Sequence, residues 1–579
     1  MTSKRAFIIF SIFIFLFLTA SDFAKAQKEP EATGDEKIAK QFFLFGDYYT
    51  SLKEYSFLYS KDSANPDYWY PLGVSYVNTN IDKQKAIPLL EKVTEQKDFD
   101  AEAMYQLGIA YQVSYRFEEA IECFEKFKKL IGTGKDLNYI SADREIEMCN
   151  NAMELIKKPV SVTFENVGAR INSPYPDYNP YVNRKETEMY FSSKRTGNIG
   201  NLVDYDGYNT ADVFISENKY GVWGKSKRLV TTINTPLVEE TCGLSADGSY
   251  LFMFIDNLDI KMQACVSVKE GRSFSKLRAL GSNVNTSKAS ATAVTITSDK
   301  KIIFFAIAAE GGQGGSDIYM SKLLPTGQWG PAENIGDDIN TKYDEDYPYL
   351  APDGKTLYFA STGHNSMGGF DIFSTTWDKA NNSFSEPVNI GYPVNTPEDN
   401  TVISFTGSGR YAYTSALRKD SYGNLDIYRL IFNKVKPGYT TVIGNLAEKD
   451  SVDIFEVFRK TIKTDIDSLK KITDTTYMRL HAISDSLGKV FVARLKKAEN
   501  NYDKGPEISI KVSDNLTKQI IGTYRPNKVS GKFIIILPPG EFLISIVCEG
   551  YQELNEVIKI DDRETPMTEI TRTFRLNKK

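Results

Sequence analysis

Four Asn-Thr pairs recur through the middle of the chain, Asn234-Thr235, Asn285-Thr286, Asn340-Thr341 and Asn395-Thr396, at spacings of 51, 55 and 55 residues. An aromatic residue precedes each: Trp223, Phe274, Trp329 and Phe384. Asp212, Asp259, Asp317, Asp371 and Asp426 stand at the start of five further runs, among them "DIYM" and "DIFS". Between these marks, "ADG" and "PDG" lead into "SYLFMF" and "KTLYFAS". Asp and Gly tolerate tight turns, and large aromatic residues favour strands. A chain that copies itself at such a period builds one supersecondary unit per copy. Each unit holds four short strands, so the repeats predict a five-bladed β-propeller over 160–432. The near-continuous apolar runs "LYFA" and "IIFFAIAA" suit sheets covered on both faces by neighbouring blades. The fifth unit leaves after three strands, at "DIYRLIF", while "VSVTFEN" precedes the first unit. Pairing of Val160–Val167 with the strand that ends at Phe432 is therefore expected to close the ring, because closure removes two exposed edges.

At 579 residues the chain exceeds what one core organises, so a multidomain protein is expected. Its 70 basic and 75 acidic residues give a net charge of −5. That leaves no basic footprint for nucleic acid or for an anionic membrane surface. Lys4 and Arg5 precede an apolar run from Ala6 to Leu18, and Ala24-Lys25-Ala26 follows. This is the pattern of a secretory signal peptide over 1–26. The run is shorter than the ~20 residues of a membrane span. The mature chain is expected to start near Gln27, exported, with no membrane span. Cys123, Cys149, Cys242, Cys265 and Cys548 have no metal-knuckle spacing and read as small buried hydrophobes. Cys242 and Cys265 fall on the first and third strands of one blade, about 9–10 Å apart and beyond disulfide reach.

Upstream, over 35–157, lies a helical region. In "AMYQLGIAYQVSYRFEEAIECFEKFKKL", Leu107, Gly108 and Tyr111 share one helix, and Ala120, Phe124 and Phe127 a second. "WYPLGVSY" repeats the first half with Trp69, Leu72, Gly73 and Tyr76, and Gly73 precedes Gly108 by 35 residues. "FLFGDYY" is a weaker copy. The pattern resembles the tetratricopeptide repeat. "SADREIEMCNNAMELIKK" reads as a polar-faced closing helix. Such arrays expose a concave surface that grips peptides, which makes Trp69, Tyr76 and Tyr111 candidate partner-binding residues. The competing reading is a spacer.

Over 438–579, "GKFIIILPPGEFLISIVCEGYQE" holds two alternating strands around Pro538-Pro539-Gly540. With "EISIKVSDNLTKQIIGTY" and "YTTVIGNLAE" it predicts a β-sandwich. Ile454, Phe458, Ile462, Ile466 and Leu469 have helical spacing, so about 450–500 reads as a helical insertion.

The order of parts resembles PorE-like periplasmic envelope proteins: signal peptide, tetratricopeptide repeats, TolB-like (WD-like) propeller repeats as in "YPYLAPDGKTLYFAST…GGFDIF", and a carboxypeptidase-regulatory-like sandwich as in "SGKFIIILPPGEFLISIVCEGYQ". The resemblance implies a periplasmic, outer-membrane-associated protein that joins the type IX secretion machinery through protein contacts. Such relatives also carry an OmpA-like, peptidoglycan-binding domain. Here "TFRLNKK" closes the sandwich, so peptidoglycan binding is not expected directly.

The sequence offers little for catalysis. Only His364 and His481 are present, and no Gly-x-Ser-x-Gly turn accompanies them, so a histidine triad is not expected. No catalytic residue, metal or cofactor is assigned. Five residues beyond each blade's asparagine stand Asp177, Glu239, Ser290, Glu345 and Asn400. Asp177, Glu239, Glu345 and Asn400 are candidate partner-binding residues ringing one channel mouth. In the competing reading each caps its own turn, as repeats copy naturally around a ring. "DYDGYNTAD" places Asp204, Asp206 and Asn209 at calcium-like spacing but has no glutamate at the twelfth loop position, which favours turn chemistry. The expected function is a non-catalytic exported scaffold for other proteins. The alternative is a propeller that binds or cleaves glycan.

Overall fold

The computed structural model describes residues 32–579 except 133–140, 220, 231, 257–261, 272, 437–438, 451, 474–485, 505, 529 and 561–567. The expected signal peptide, Asp259 and His481 lie outside the described residues. Among the described residues no helix is long and apolar enough to cross a membrane. The chain divides into two compact units, one reaching to Phe405 and including Tyr411–Asn433, the other Lys434–Lys579 with the turn Thr406–Arg410.

The first unit contains both the helices and the repeats. Seven α-helices are described in its first part: α1 (Glu36–Phe45), α2 (Tyr48–Lys61), α3 (Trp69–Val77), α4 (Ala86–Thr94), α5 (Ala101–Val113), α6 (Phe117–Ile131) and α7 (Ala142–Ile156). Asp35, Asp47, Asp100 and Ser141 cap the N-termini of α1, α2, α5 and α7 through side-chain oxygens, satisfying amides that the first turn leaves open. Each helix packs on the next. Gly108 is what lets α5 meet α6: a β-carbon there would lie 2.6 Å from Cε1 of the buried Phe124.

Five antiparallel sheets follow. Blade 1 runs Asp177–Val182, Glu188–Ser193, Asp212–Lys219; blade 2 Val238–Leu244, Tyr250–Asp256, Gln263–Glu270; blade 3 Ala293–Ile296, Ile302–Ile307, Asp317–Lys322. Blade 4 runs Glu345–Leu350, Thr356–Ser361, Asp371–Asp378; blade 5 Ser404–Phe405, Tyr411–Ala416, Asp426–Phe432. In blades 1 to 4 short outer strands follow the third strand; in blade 5 the outer strand is Val162–Asn166, from before the first blade. It pairs from Val162 with Phe432 to Asn166 with Tyr428. The expected strand exchange is thus present, and the sheets form a propeller-like ring. Neighbouring blades touch around it: Thr241 N–H donates to Ser192 Oγ (2.8 Å) on the second strand of blade 1, and inner strands meet where Leu350 N–H donates to Thr295 Oγ1 (3.0 Å), Phe405 N–H to Tyr349 Oη (2.9 Å) and Val182 N–H to Ser404 Oγ (2.9 Å). Blades 2 and 3 meet where a β-carbon on Gly243 would strike the Val294 carbonyl at 1.8 Å. Cys242 and Cys265 lie on the first and third strands of blade 2, and all five cysteines are buried and unbonded.

The second unit has a three-stranded sheet, Phe533–Leu537, Thr440–Glu448 and Thr568–Leu576, and a four-stranded one, Ile520–Tyr524, Ile508–Asp514, Gly540–Cys548 and Leu554–Ile560. Their inward residues, among them Val442, Ile535, Ile510 and Ile544, form one apolar core. The strands flanking Pro538-Pro539 lie in different sheets, so that turn is a crossover rather than a hairpin. The insertion forms α8 (Ile454–Thr473) and α9 (Ser486–Lys504). Ile454 and Phe455 anchor α8 in the core, and Lys470 pairs with Glu499 across the two helices at 3.5 Å.

Candidate functional site

The repeated Asn-Thr motif is a staple. Each asparagine turns its side-chain amide onto one residue of a third strand, accepting from its N–H and donating to its carbonyl. Asn234 does this to Val213 (2.8 and 3.0 Å), Asn340 to Ile318 (2.8 and 2.9 Å), Asn395 to Ile372 (both 2.8 Å), Asn285 to Ala264 and Asn172 to Ile427. A side-chain amide is the one group that imitates a peptide in both directions. The next residue is held by the group that opens the following blade. Glu239 accepts from Thr235 N–H (2.8 Å) and Oγ1 (2.5 Å), Glu345 from Thr341 N–H (2.6 Å) and Oγ1 (2.8 Å), and Asn400 from Thr396 N–H (2.6 Å). Asp177 accepts from Ser173 N–H (2.6 Å) and Oγ (2.7 Å) and pairs with Arg195. All four are buried, and each is held by its own turn. In blade 3, where Ser290 takes this position, Thr286 bonds the Ala289 carbonyl instead.

The helical candidates are separated. Tyr111 is buried and donates to Glu91 of α4 at 2.5 Å, so a partner cannot reach it while the helices stay packed. Trp69 and Tyr76 are half-buried, with Lys92 above the Trp69 ring (5.3 Å) and Lys85 above Tyr76 (5.9 Å).

Helices and ring meet at several places, Lys83 pairing with Glu398 and Tyr115 packing on Tyr392 (6.2 Å) among them, and two of these places carry wider side-chain networks. At the first, Arg144 of α7 is buried. Its guanidinium donates to the carbonyls of Thr362 (2.7 Å), Gly363 (2.7 Å) and His364 (3.1 Å), pairs with Glu147 (2.8 Å) and lies 4.7 Å over the Tyr343 ring. Asn151 donates to Ser366 (3.0 Å), and Met367 is buried among the helical apolar residues. His364 belongs to this lock: its Nε2 lies 2.9 Å from the Ile339 carbonyl, and burial holds the ring below its ordinary range.

At the second, the α1–α2 corner and the end of α3 meet blade 1 around a cavity of about 430 Å³. Tyr49 packs on Tyr208 with ring centroids 4.3 Å apart. Asn80 donates to Asn424, which donates to the Tyr208 hydroxyl, both at 2.8 Å. Lys194, nearly buried, bonds Asp204 (2.8 Å) and Asp206 (2.5 Å). Burial alone would lower its ammonium, but Asp206 and Asp204 outweigh burial and hold it above its ordinary value. Tyr178 donates to Glu240 at 2.5 Å. Burial raises the carboxyls of Glu240 and of Asp47, the α2 cap. The loop with calcium-like spacing therefore gives two carboxylates to an internal lysine. It is also turned on itself, with Gly207 N–H on the Asp204 carbonyl (3.0 Å) and Tyr208 N–H on Asp206 (3.1 Å). Among the described residues no group of three His, Cys, Asp or Glu side chains is arranged to hold a metal. Tyr178, Lys194 and Glu240 carry no motif in the sequence; Tyr178 and Glu240 are signalled only as neighbours of the repeat positions Asp177 and Glu239.

No protein-family model matches the sequence, and no curated protein matches it. Solved structures similar to parts of the chain include TolB from Acinetobacter baumannii, 11% identical, covering 51% of this chain and 71% of that one at a TM-score of 0.29. BT0996, solved as an RGII complex, is 8% identical and covers 49% and 94% at 0.33. CoXyl43, a family 43 β-xylosidase/α-arabinofuranosidase from a compost microbial metagenome, is 13% identical and covers 46% and 94% at 0.30. At these TM-scores none of them assigns a function to this chain.

Proposed function

We propose that the protein is a non-catalytic, exported scaffold that binds other proteins in the periplasm, close to the outer membrane, as part of or accessory to an envelope machinery such as type IX secretion. Its helices act as tetratricopeptide repeats and its ring as a five-bladed TolB-like propeller. The observation that carries this reading is the Arg144 lock. A buried cation spent on three carbonyls of a ring loop fixes helices and ring as one body, which suits a composite docking surface. Crosslinking in native envelopes, followed by affinity recovery, tests it. Discrete adducts with envelope proteins are expected; recovery of the protein alone would overturn the reading.

One observation favours the glycan alternative. Burial pushes the Asp346 carboxyl up to about 6 and also raises Glu240, as a glycosidase acid requires. Against it, Asp346 is held by Thr292 Oγ1 (2.8 Å) and Glu240 by Tyr178. Hydrolysis of plant or bacterial glycans that E240Q and D346N abolish would establish this alternative.

A further inference from the structure

The cavity at the second junction is lined by five tyrosines: Tyr48, Tyr49, Tyr178, Tyr205 and Tyr208. We propose that it receives the side-chain cation of a partner segment, an arginine or lysine flanked by apolar residues. The proposal rests on the scaffold reading and names what that scaffold grips. Aromatic faces attract cations, more so when desolvated. The charges around the cavity agree. Asp47, Asp204, Asp206 and Glu240 face Lys194 and Lys53, and Lys53 lies over the Tyr49 ring at 4.1 Å. Lys194 is already shared between Asp204 and Asp206. Glu240 and Asp47 accept their hydrogen bonds from uncharged groups, the Tyr178 hydroxyl and the Thr50 amide. Burial raises both carboxyls, and an arriving cation would offset that cost.

The rim selects a peptide over a free small cation. Tyr205 is 71% exposed, and Val203 beside it 66%. On the helical side Leu44 and Phe45, at 70% and 71%, directly precede Gly46, which lines the cavity. Apolar side chains exposed on a polar rim mark protein interaction sites. A cavity of 430 Å³ lies within the size range of side-chain and ligand pockets.

A positional-scanning nonapeptide library, passed over immobilised protein spanning 27–579, tests the assignment. Enrichment of Arg or Lys between Leu, Phe or Tyr is expected. Exchanging the basic residue of the best peptide for Gln should weaken binding about tenfold. E240Q and Y205A should weaken the parent peptide similarly while keeping the parent's thermal unfolding. Both variants are mild, since Gln still accepts from Tyr178 and Tyr205 is largely exposed. A library with no basic preference, binding unchanged in both variants, or equal binding of free arginine and the peptide would each overturn the proposal. Benzoylphenylalanine in place of Tyr205 or of Trp69, in native envelopes, separates this failure from that of the scaffold reading. Adducts from position 69 with none from 205 would sink the cavity and leave the scaffold. Adducts from neither would sink both.

Discussion

Asp371 shows what the repeat asks of the aspartate that opens a third strand. Its Oδ2 accepts from Met367 N–H (2.9 Å) and Asn389 (2.8 Å), holding the preceding loop. Its Oδ1 is buried and finds no partner among the described residues, and the same holds for Asp212 and Asp426. Burial accordingly pushes Asp371 up to about 8 and Asp426 up to about 6, against about 3.9 in an unfolded chain. Across that window the folded protein holds protons that the unfolded chain has released. Their stabilisation is fully present below about pH 4 and lost as pH rises through about 8. Unfolding should therefore occur at lower temperature at about pH 8.5 than at about pH 5.5. D371N cannot ionise, so it should flatten that slope and narrow the gap between the two unfolding temperatures, although its amide NH2 takes the place of the partnerless Oδ1. Calorimetric scans of both proteins decide it; an unchanged slope in D371N would count against the argument. Residues at repeat positions were legible because five copies align them. The residue after each was not. Strand alternation turns it to the opposite face, and left-handed residues at Asn179 and Tyr347 shift the inner strands of blades 1 and 4 by a bulge. Tyr178, Glu240 and Asp346 thus escaped a reading tied to the repeat positions.

Two elements make claims that deletion or a single methyl can test. Gly108 permits α5 and α6 to approach, with Phe124 fully buried on the other side. G108A should push the helices apart and destabilise the first unit by about 1–3 kcal/mol, read as a lower urea midpoint at unchanged slope. A midpoint at or above the parent's would show that the helices give way freely. The exchanged strand Val162–Asn166 covers the edge of Asp426–Phe432 from Tyr428 to Phe432. Removing it should leave that edge open and drive aggregation, seen as loss of the monodisperse peak in size-exclusion chromatography. A soluble, fully folded deletion variant would contradict closure by exchange. The exchange was legible from counting strands, because an incomplete last unit and a spare first strand leave one economical pairing. The helical insertion was legible too: Ile454 and Ile466 of the expected stripe are buried. The crossover at Pro538-Pro539 was not, because two alternating strands around a tight turn look the same whether they pair with each other or part into two sheets.

At the scale of the whole first unit, helices and ring look separable in sequence because their periods differ, and the contacts that join them follow neither period. Arg144 reaches Thr362, 218 residues away. Nothing local in "SADREIEM" or "STGHNSMGG" announces that encounter, and a polar-faced helix reads equally well as a solvated cap. The guanidinium holds the three carbonyls through Nη2, with Nε also on Thr362, while Nη1 turns to Glu147; an ammonium carries its three donors on one atom and cannot face both sides. R144M keeps much of the bulk but takes the donor from the Thr362 and His364 carbonyls, while Gly363 keeps Ser366 Oγ (2.6 Å), at about 1–3 kcal/mol for each left unpaired. The loop 361–369 should then loosen, and the helices should unfold apart from the ring. Limited proteolysis is expected to cut R144M within that loop at protease levels the parent resists. Calorimetry should resolve one first-unit transition into two, with R144K intermediate. If R144M keeps the parent's digestion pattern and its single transition, the joint is carried instead by the remaining contacts, the tyrosine-lined junction at the α1–α2 corner and the Lys83–Glu398 pair among them, and Y49A combined with K83M should then produce the split.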